Sequence, residues 1–399
     1  MNQPKRIIVA TSDVPFVEGG HIIIAQNTIQ ALKDHGYEAD LVLTPQNRFG
    51  RQLRAYMANF FTDVEMDGLG RRTHQVISFR FPSFAVRHPR HVCWLNHRLR
   101  EYYDLWDRLY SQLSWKGRIK ESLRKQIIRT LDTYCLKHNV DKVYAQSRTI
   151  QQRLNIWGNI PSEVLYPPPP QKNYYTNQYG DYIFAVSRLH TLKRLDLLVK
   201  SFIHLKNKEI KAVIAGSGPE YKNLKNMIHE NKLEKRVALL GRTDEKTVLK
   251  HLADCRAVYF APLKEDYGLV TGEAFASSKC VITTDDSGGP AELVKHGYSG
   301  YICESKPEKI AEKLDILADD ENLAEQMGNN AKKIHFRNQM GQNSRTPDPF
   351  INIGFPSFFT LFRLFVYDRL LYIFGIWESR ICLNFSHMFQ KKHHTKTFP

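Results

Sequence analysis

The sequence predicts an α/β protein built from two doubly wound parallel sheets, each in its own domain. Three observations carry this. Short apolar runs of four or five residues alternate with helix-length segments along most of the chain. The rhythm breaks at Tyr166-Pro167-Pro168-Pro169-Pro170, a stiff extended stretch that continues neither kind of element. A chain of 399 residues also exceeds what one hydrophobic core usually serves. The domains are therefore expected at 1–168 and 169–335, with residues 336–399 outside the pattern.

The first strand is predicted at 7–10, where Ile7-Ile8-Val9-Ala10 is the kind of run buried in a parallel sheet. A loop over 14–20 ends in Gly19-Gly20. A helix over 21–35 follows and stops at Gly36, and a second strand lies at 39–43. Further strands are expected at 76–79, 92–95 and 142–145, and a helix at 117–138. After the prolines the alternation is cleaner. Strands at 182–186, 212–215, 237–240, 257–261 and 280–283 are followed by helices at 193–205, 219–230, 244–253, 270–278 and, last, 307–318.

The final segment breaks this order. Residues 350–399 hold thirteen aromatics, and charges at Arg363, Asp368, Arg369 and Glu378 interrupt every apolar window. A membrane-spanning helix needs roughly 18 mostly apolar residues, so none is expected there. The amino terminus runs straight into a strand and lacks the apolar stretch of a secretory leader. The six cysteines form no C-x-x-C pair, which suggests reduced cytosolic thiols rather than zinc or disulfides.

The chain carries a net charge of +16, and residues 80–129 supply half of it, with twelve Lys/Arg against four acids. Trp94, Tyr102, Tyr103, Trp106, Tyr110 and Trp115 are interleaved with those cations. Such a segment suits a polyanion or an anionic membrane surface, or else forms a solvated helical face over core aromatics. No zinc spacing or RNP-like segment points to specific nucleic-acid recognition.

In parallel α/β sheets ligands bind beyond the carboxyl ends of the strands. Gly19-Gly20 precedes the first helix, where a bare backbone and helix N–H groups favour an anion, although taken alone such a pair is more often a structural turn. Arg188, Lys193 and Arg194 follow the strand at 182–186 and could neutralise a diphosphate or simply solvate a helix start. Glu265-Asp266-Tyr267-Gly268-Leu269-Val270-Thr271-Gly272-Glu273 follows the strand at 257–261. Gly268 to Val270 would open a helix toward a phosphate. Glu265 and Glu273 could accept hydrogen bonds from sugar hydroxyls on either side of a diphosphate, or only favour the helix N-terminus. Ser287-Gly288-Gly289-Pro290 reads as a structural turn.

Together these residues resemble a family 4 (group 1) glycosyltransferase of a bacterial branch. The E-x7-E element EDYGLVTGEAF, the segment Ser187-Arg188-Leu189 with Lys193-Arg194, Ile214-Ala215-Gly216-Ser217-Gly218-Pro219-Glu220 and Ser287-Gly288-Gly289-Pro290-Ala291-Glu292 occur in that family's order. Phe81-Pro82-Ser83, Trp94-Leu95-Asn96-His97 and Tyr103-Asp104-Leu105-Trp106 resemble the branch. The resemblance covers roughly residues 5–333. It implies the GT-B fold: two Rossmann-like domains facing across a cleft, here with an atypical aromatic and basic tail.

The resemblance also implies a retaining, metal-independent transfer from a nucleotide diphosphate sugar, taken as substrate, with no cofactor. Arg188 and Lys193 would hold the diphosphate and stabilise its departure. Glu265 would contact donor-sugar hydroxyls and Glu273 the ribose. Backbone N–H groups at Gly268, Leu269 and Val270 would meet the phosphates. Gly20 would approach from the opposite domain, Gly216 would line the donor site, Arg242 would lie near the base, and His97 would face the donor sugar. The absence of a D-x-D pair at a strand end fits the metal-free expectation, since Asp285-Asp286 are adjacent.

The expected acceptor is a glycan, a lipid-linked glycan or a small molecule, in surface polysaccharide assembly. The expected location is the cytoplasm, with peripheral attachment to an anionic membrane at its inner face. His21 departs from the family's small or apolar residue, and the pattern is lost after about 334. A nucleotide-sugar epimerase, a phosphorylase on the same fold and a non-enzymatic polyanion binder remain the alternatives.

Overall fold

The computed structural model describes residues 4–345 apart from 15–19, 47–48, 169 and 171, with side chains described to residue 334. Gly19 and the aromatic tail beyond 345 lie outside the described residues. Residues 1–345 cluster as one compact unit.

The first sheet follows from its buried apolar runs. Strands β1 (Arg6–Asp13), β2 (Glu38–Pro45), β3 (Gln75–Ser78), β4 (His91–Leu95), β5 (Lys142–Ala145) and β6 (Glu163–Val164) stand in the order β2-β1-β3-β4-β5-β6. Every pairing is parallel, with Val9 opposite Leu41 on one side and Ile77 on the other. Helices α1 (Gly20–Asp34), α2 (Gln52–Phe60), α3 (Trp106–Ser111), α4 (Trp115–His138) and α5 (Arg148–Ile156) connect them.

The second sheet takes β7 (Tyr182–Val186), β8 (Lys211–Ala215), β9 (Val237–Gly241), β10 (Ala257–Tyr259), β11 (Val281–Thr284) and β12 (Gly300–Cys303) in the order β12-β11-β10-β7-β8-β9, again all parallel. Helices α6 (Leu195–His204), α7 (Tyr221–Glu230), α8 (Glu245–Asp254), α9 (Leu269–Ala276), α10 (Gly289–Leu293), α11 (Pro307–Asp319) and α12 (Glu321–Arg345) surround it. Its core includes Ile183, Leu198, Phe202, Ile214, Tyr259, Ile282 and Leu314. The order reverses between β1 and β3 in the first sheet and between β7 and β10 in the second. These switch points are where parallel α/β sheets open a crevice.

The structure corrects the sequence reading in several places. Strands β6 and β12 and helices α2, α3, α5 and α10 were not expected, and α12 rather than α11 ends the described chain. The Ser287–Pro290 turn also opens a short helix, α10. All five described cysteines are buried and unpaired. Cys382 lies outside the described residues.

Candidate functional site between the two sheets

The site begins at the carboxyl end of β7. Gly216 has φ +141°, and a Cβ there would lie 1.8 Å from the Ser187 carbonyl oxygen. Gly218 is pressed against the Leu189 backbone in the same way. Only glycine lets the loop after β8 support the Ser187–Leu189 segment this closely. That segment leaves Arg188 exposed, and its side chain makes no hydrogen bond or ion pair among the described residues. The Gly216 N–H donates to the Gly241 carbonyl at 2.7 Å, so exposed Arg242, the residue after edge strand β9, begins beside the same strand ends.

Lys193 closes a 3-10 turn just before α6, and its Nζ reaches both carboxylate oxygens of Glu265 at 2.8 Å. Glu265 is held by its backbone. Its N–H donates to Ser287 O at 2.7 Å, and its carbonyl accepts from Gly289 N at 3.0 Å. A Cβ on Gly288 would fall 2.5 Å from the Glu265 carbonyl oxygen. The Ser287–Pro290 loop thus sets where Glu265 stands.

Gly268 (φ +85°) precedes α9, with no room for a side chain between Phe260 and Pro290. Leu269 and Val270 then open α9, whose first N–H groups have no intrahelical acceptor. Glu273, one turn on, accepts from Lys172 Nζ at 3.1 Å and Tyr174 OH at 3.3 Å. Burial and then the Glu273 charge push the Tyr174 phenol upward.

Gly20 opens α1 in the first sheet's domain. A Cβ there would come within 2.9 Å of the Leu269 side chain, so the two domains meet where α1 and α9 begin. His97, just past β4, is half-buried. Its Nδ1 lies 2.8 Å from the Arg98 carbonyl, which leaves the lone pair on Nε2. Burial, and then the Arg80 charge, lowers its pKa to about 4, so it is neutral at physiological pH.

The structure brings other residues to this cleft that sequence reasoning did not assign. Arg80 donates from Nη1 to His21 Nδ1 at 2.9 Å, and the His21 Nε2 lies 3.5 Å from Asp13. Burial pulls Arg80 down to about 10, opposed by Asp13 and Asp266 and reinforced by Arg188. Its Nε is buried with no hydrogen-bond partner among the described residues. Asp266 takes an ion pair from Arg153, and Arg100 lies 3.8 Å away. Burial alone would raise the Asp266 pKa, but Arg100, Arg153 and His97 hold it below the usual carboxylate range.

Glu292 caps the start of α5 in the other domain, accepting from the N–H groups of Arg148 at 2.8 Å and Thr149 at 2.6 Å. The E-D-Y and S-G-G-P-x-E motifs held Asp266 and Glu292, but nothing local to them shows that their partners lie more than a hundred residues away. Arg194, paired with Asp286 at 2.7 Å and bonded to the Ala261 and Pro262 carbonyls, serves the scaffold. Among the described residues no group of three or more His, Cys, Asp or Glu side chains gathers as metal ligands would.

Beyond the strand ends of the second sheet the arrangement offers exposed Arg188, the Lys193–Glu265 pair, the N-terminus of α9 and the Glu273 carboxylate. This set can bind an anion flanked by hydroxyl-bearing groups. Residues 172–334 match the family model described as glycosyl transferases group 1. An uncharacterized glycosyltransferase of Methanocaldococcus jannaschii is 28% identical over 208 residues, 49% of this chain and 55% of that protein. The N-acetylgalactosamine-N,N'-diacetylbacillosaminyl-diphospho-undecaprenol 4-alpha-N-acetylgalactosaminyltransferase of Campylobacter jejuni is 32% identical over 152 residues, 38% of this chain and 41% of that protein. The match thus spans about half the length of these curated relatives, or less. In fold, the chain is similar to Anabaena HepE, solved with UDP and glucose, at a TM-score of 0.60 and 17% identity, over 84% of this chain and 98% of that one. The two facing parallel sheets are the GT-B arrangement.

Proposed function

We propose that this chain, whose residues 172–334 carry the group 1 glycosyl transferase pattern, moves a glycosyl group from a nucleotide diphosphate sugar to a hydroxyl acceptor with retention of configuration. The observation that carries the reading is the Lys193–Glu265 pair at 2.8 Å, beside the start of α9 and faced by Gly20 of the other domain. A diphosphate entering this crevice competes with Glu265 for Lys193. Once displaced, Glu265 is free to accept hydrogen bonds from the donor sugar. Arg188 adds a second cation, and the Gly268–Val270 N–H groups receive the phosphate oxygens. Glu273, steadied by Lys172 and Tyr174, takes the ribose hydroxyls.

In the transfer the anomeric C–O bond breaks and its electron pair stays on the departing diphosphate oxygen. Lys193 and Arg188 stabilise that charge. The acceptor oxygen bonds to the anomeric carbon on the same face, and its proton passes to the departing phosphate. Neutral His97 lines the sugar side without adding charge. On this reading the charge is carried by these side chains with no metal required. HepE, solved with UDP and glucose, supports a nucleotide-sugar donor, and the diphospho-undecaprenol in the Campylobacter relative's name supports a lipid-linked glycan acceptor.

The test is a thermal-shift screen against UDP-, GDP- and ADP-sugars, followed by product analysis. One donor class should raise the melting temperature, because a ligand that binds the native state stabilises it. Free nucleoside diphosphate should then accumulate only with acceptor present. Donor isomerisation without acceptor would replace this reading with an epimerase, and phosphate-dependent cleavage with a phosphorylase.

A further inference from the structure

Helix α4 is amphipathic in the wrong sense for a helix that faces only water. Its inner face carries carboxylates. Glu121 accepts from Tyr102 OH at 2.7 Å, and Asp132 accepts from Tyr103 OH at 2.7 Å and from Tyr56. Its outer face carries Trp115, Ile119, Leu123 and Ile127, exposed to 68, 57, 65 and 48%. The spacing of four advances by about 40° per step, so the four side chains form one slanted stripe opposite buried Ile128 and Asp132. Exposed Lys116, Arg118 and Lys120 flank its first half. Helix α2, tied to α4 through Tyr56 and Asp132, also leaves Leu53 and Met57 exposed, with Phe61 just beyond its end. Contiguous exposed apolar surface of this kind marks an interaction site.

We propose that this stripe seats the protein on an anionic lipid bilayer. The apolar side chains enter the interface, Trp115 sits at headgroup level, and the lysine and arginine heads reach anionic phosphates. Charge decides against two other occupants. A second copy would set Lys116, Arg118 and Lys120 against themselves. Residues 346–399 hold six Lys/Arg and three acids, so they too carry excess positive charge. No helix among the described residues is long and apolar enough to cross a membrane. This proposal does not depend on the donor reading, and its test measures binding rather than turnover.

The full chain is sedimented with vesicles of phosphatidylcholine containing about a third phosphatidylglycerol, and with pure phosphatidylcholine vesicles. It should bind the anionic vesicles and be released by salt. The combined Trp115→Ser, Ile119→Ser, Leu123→Ser variant should bind about tenfold more weakly, and so should Lys116→Glu, Arg118→Glu, Lys120→Glu. Thermal melts of both variants show whether the fold is kept, and the charge variant carries the test if the serine variant melts early. The proposal is overturned if the wild-type chain ignores anionic vesicles, if it binds neutral vesicles equally well, or if the variants bind as wild type. A wild-type dimer that the serine variant dissociates would overturn it in favour of a second copy.

Discussion

Lys193 and Glu265 neutralise one another, with side chains 16% and 22% exposed. Deleting either leaves the other partly buried and unpaired, which costs some stability but less than in a dry interior. The functional consequences should diverge. Lys193→Ala removes a ligand cation and should lower transfer by about 2–4 kcal/mol, with weaker binding of free nucleoside diphosphate. Glu265→Ala removes the competitor for Lys193 along with the sugar contact. It should abolish turnover while binding free nucleoside diphosphate at least as tightly as wild type. Calorimetric titration with the nucleoside diphosphate separates the two. If Glu265→Ala weakened that binding as much as Lys193→Ala, the pair would be scaffold rather than site. Arg188→Ala should resemble Lys193→Ala in turnover but leave the melting temperature nearly unchanged, since Arg188 is exposed and has no partner among the described residues.

Between elements, the strongest device is the cap that α10 places on α5. The Glu292 carboxylate meets two N–H groups at the positive end of a helix in the other domain, and Tyr166 OH joins at 3.2 Å. Glu292→Ala should cost about 1–2 kcal/mol and loosen the two domains, read as a lower urea midpoint and a larger radius of gyration in solution scattering. Glu292→Gln, which keeps an acceptor oxygen, should lie between. An unchanged radius in the alanine variant would assign the cap to α5 alone. None of this was readable locally, whereas the sheets were. Strands β4, β7, β10 and β11 are short, largely buried and mostly apolar runs, and in the sequence the prolines at 167–170 stand between β6 and β7. What escaped was short or polar. Strand β6 is two residues long, and α5 buries only Ile150 and Leu154. Helix α12 packs through Ala324, Met327, Ala331 and Gly328, where a Cβ would lie 2.0 Å from the Ser278 carbonyl oxygen. Small residues chosen for close approach leave little hydrophobic signal. The candidate site was legible wherever a glycine, cation or carboxylate followed a strand. Arg80 was not, because in the sequence it is one basic residue among twelve.

Across the whole molecule, buried titratable groups set the response to acid. Burial is the first cause at all seven shifted histidines among the described residues, and its effect is largest at three. It holds His91 at about 3, and with help from Arg80 it holds His21 and His97 at about 4. Each is neutral when folded but takes a proton near pH 6.5 when unfolded. The stability they contribute is therefore full above pH 6.5 and lost as pH falls toward the folded values. Asp132 acts in the opposite sense. Burial raises it to about 6, so the folded state binds its proton more tightly than the unfolded state. Its contribution is full below about pH 4 and lost as pH rises through about 6. Between about pH 4 and 6 the histidines steepen the acid loss of stability and Asp132 opposes it, each by about 1.4 kcal/mol per pH unit. Substitution should separate them by sign. His91→Gln should flatten the dependence of unfolding free energy on pH in this window by about one proton, whatever it costs in overall stability. Asp132→Asn should steepen it by about one proton, because the group that gained stability on acidification is gone. The net charge of +16 adds a repulsion common to all three proteins, so it cancels in the differences between slopes. Urea titrations at half-unit steps measure those slopes, and a steeper His91→Gln profile or a flatter Asp132→Asn profile would refute this assignment of the buried charges.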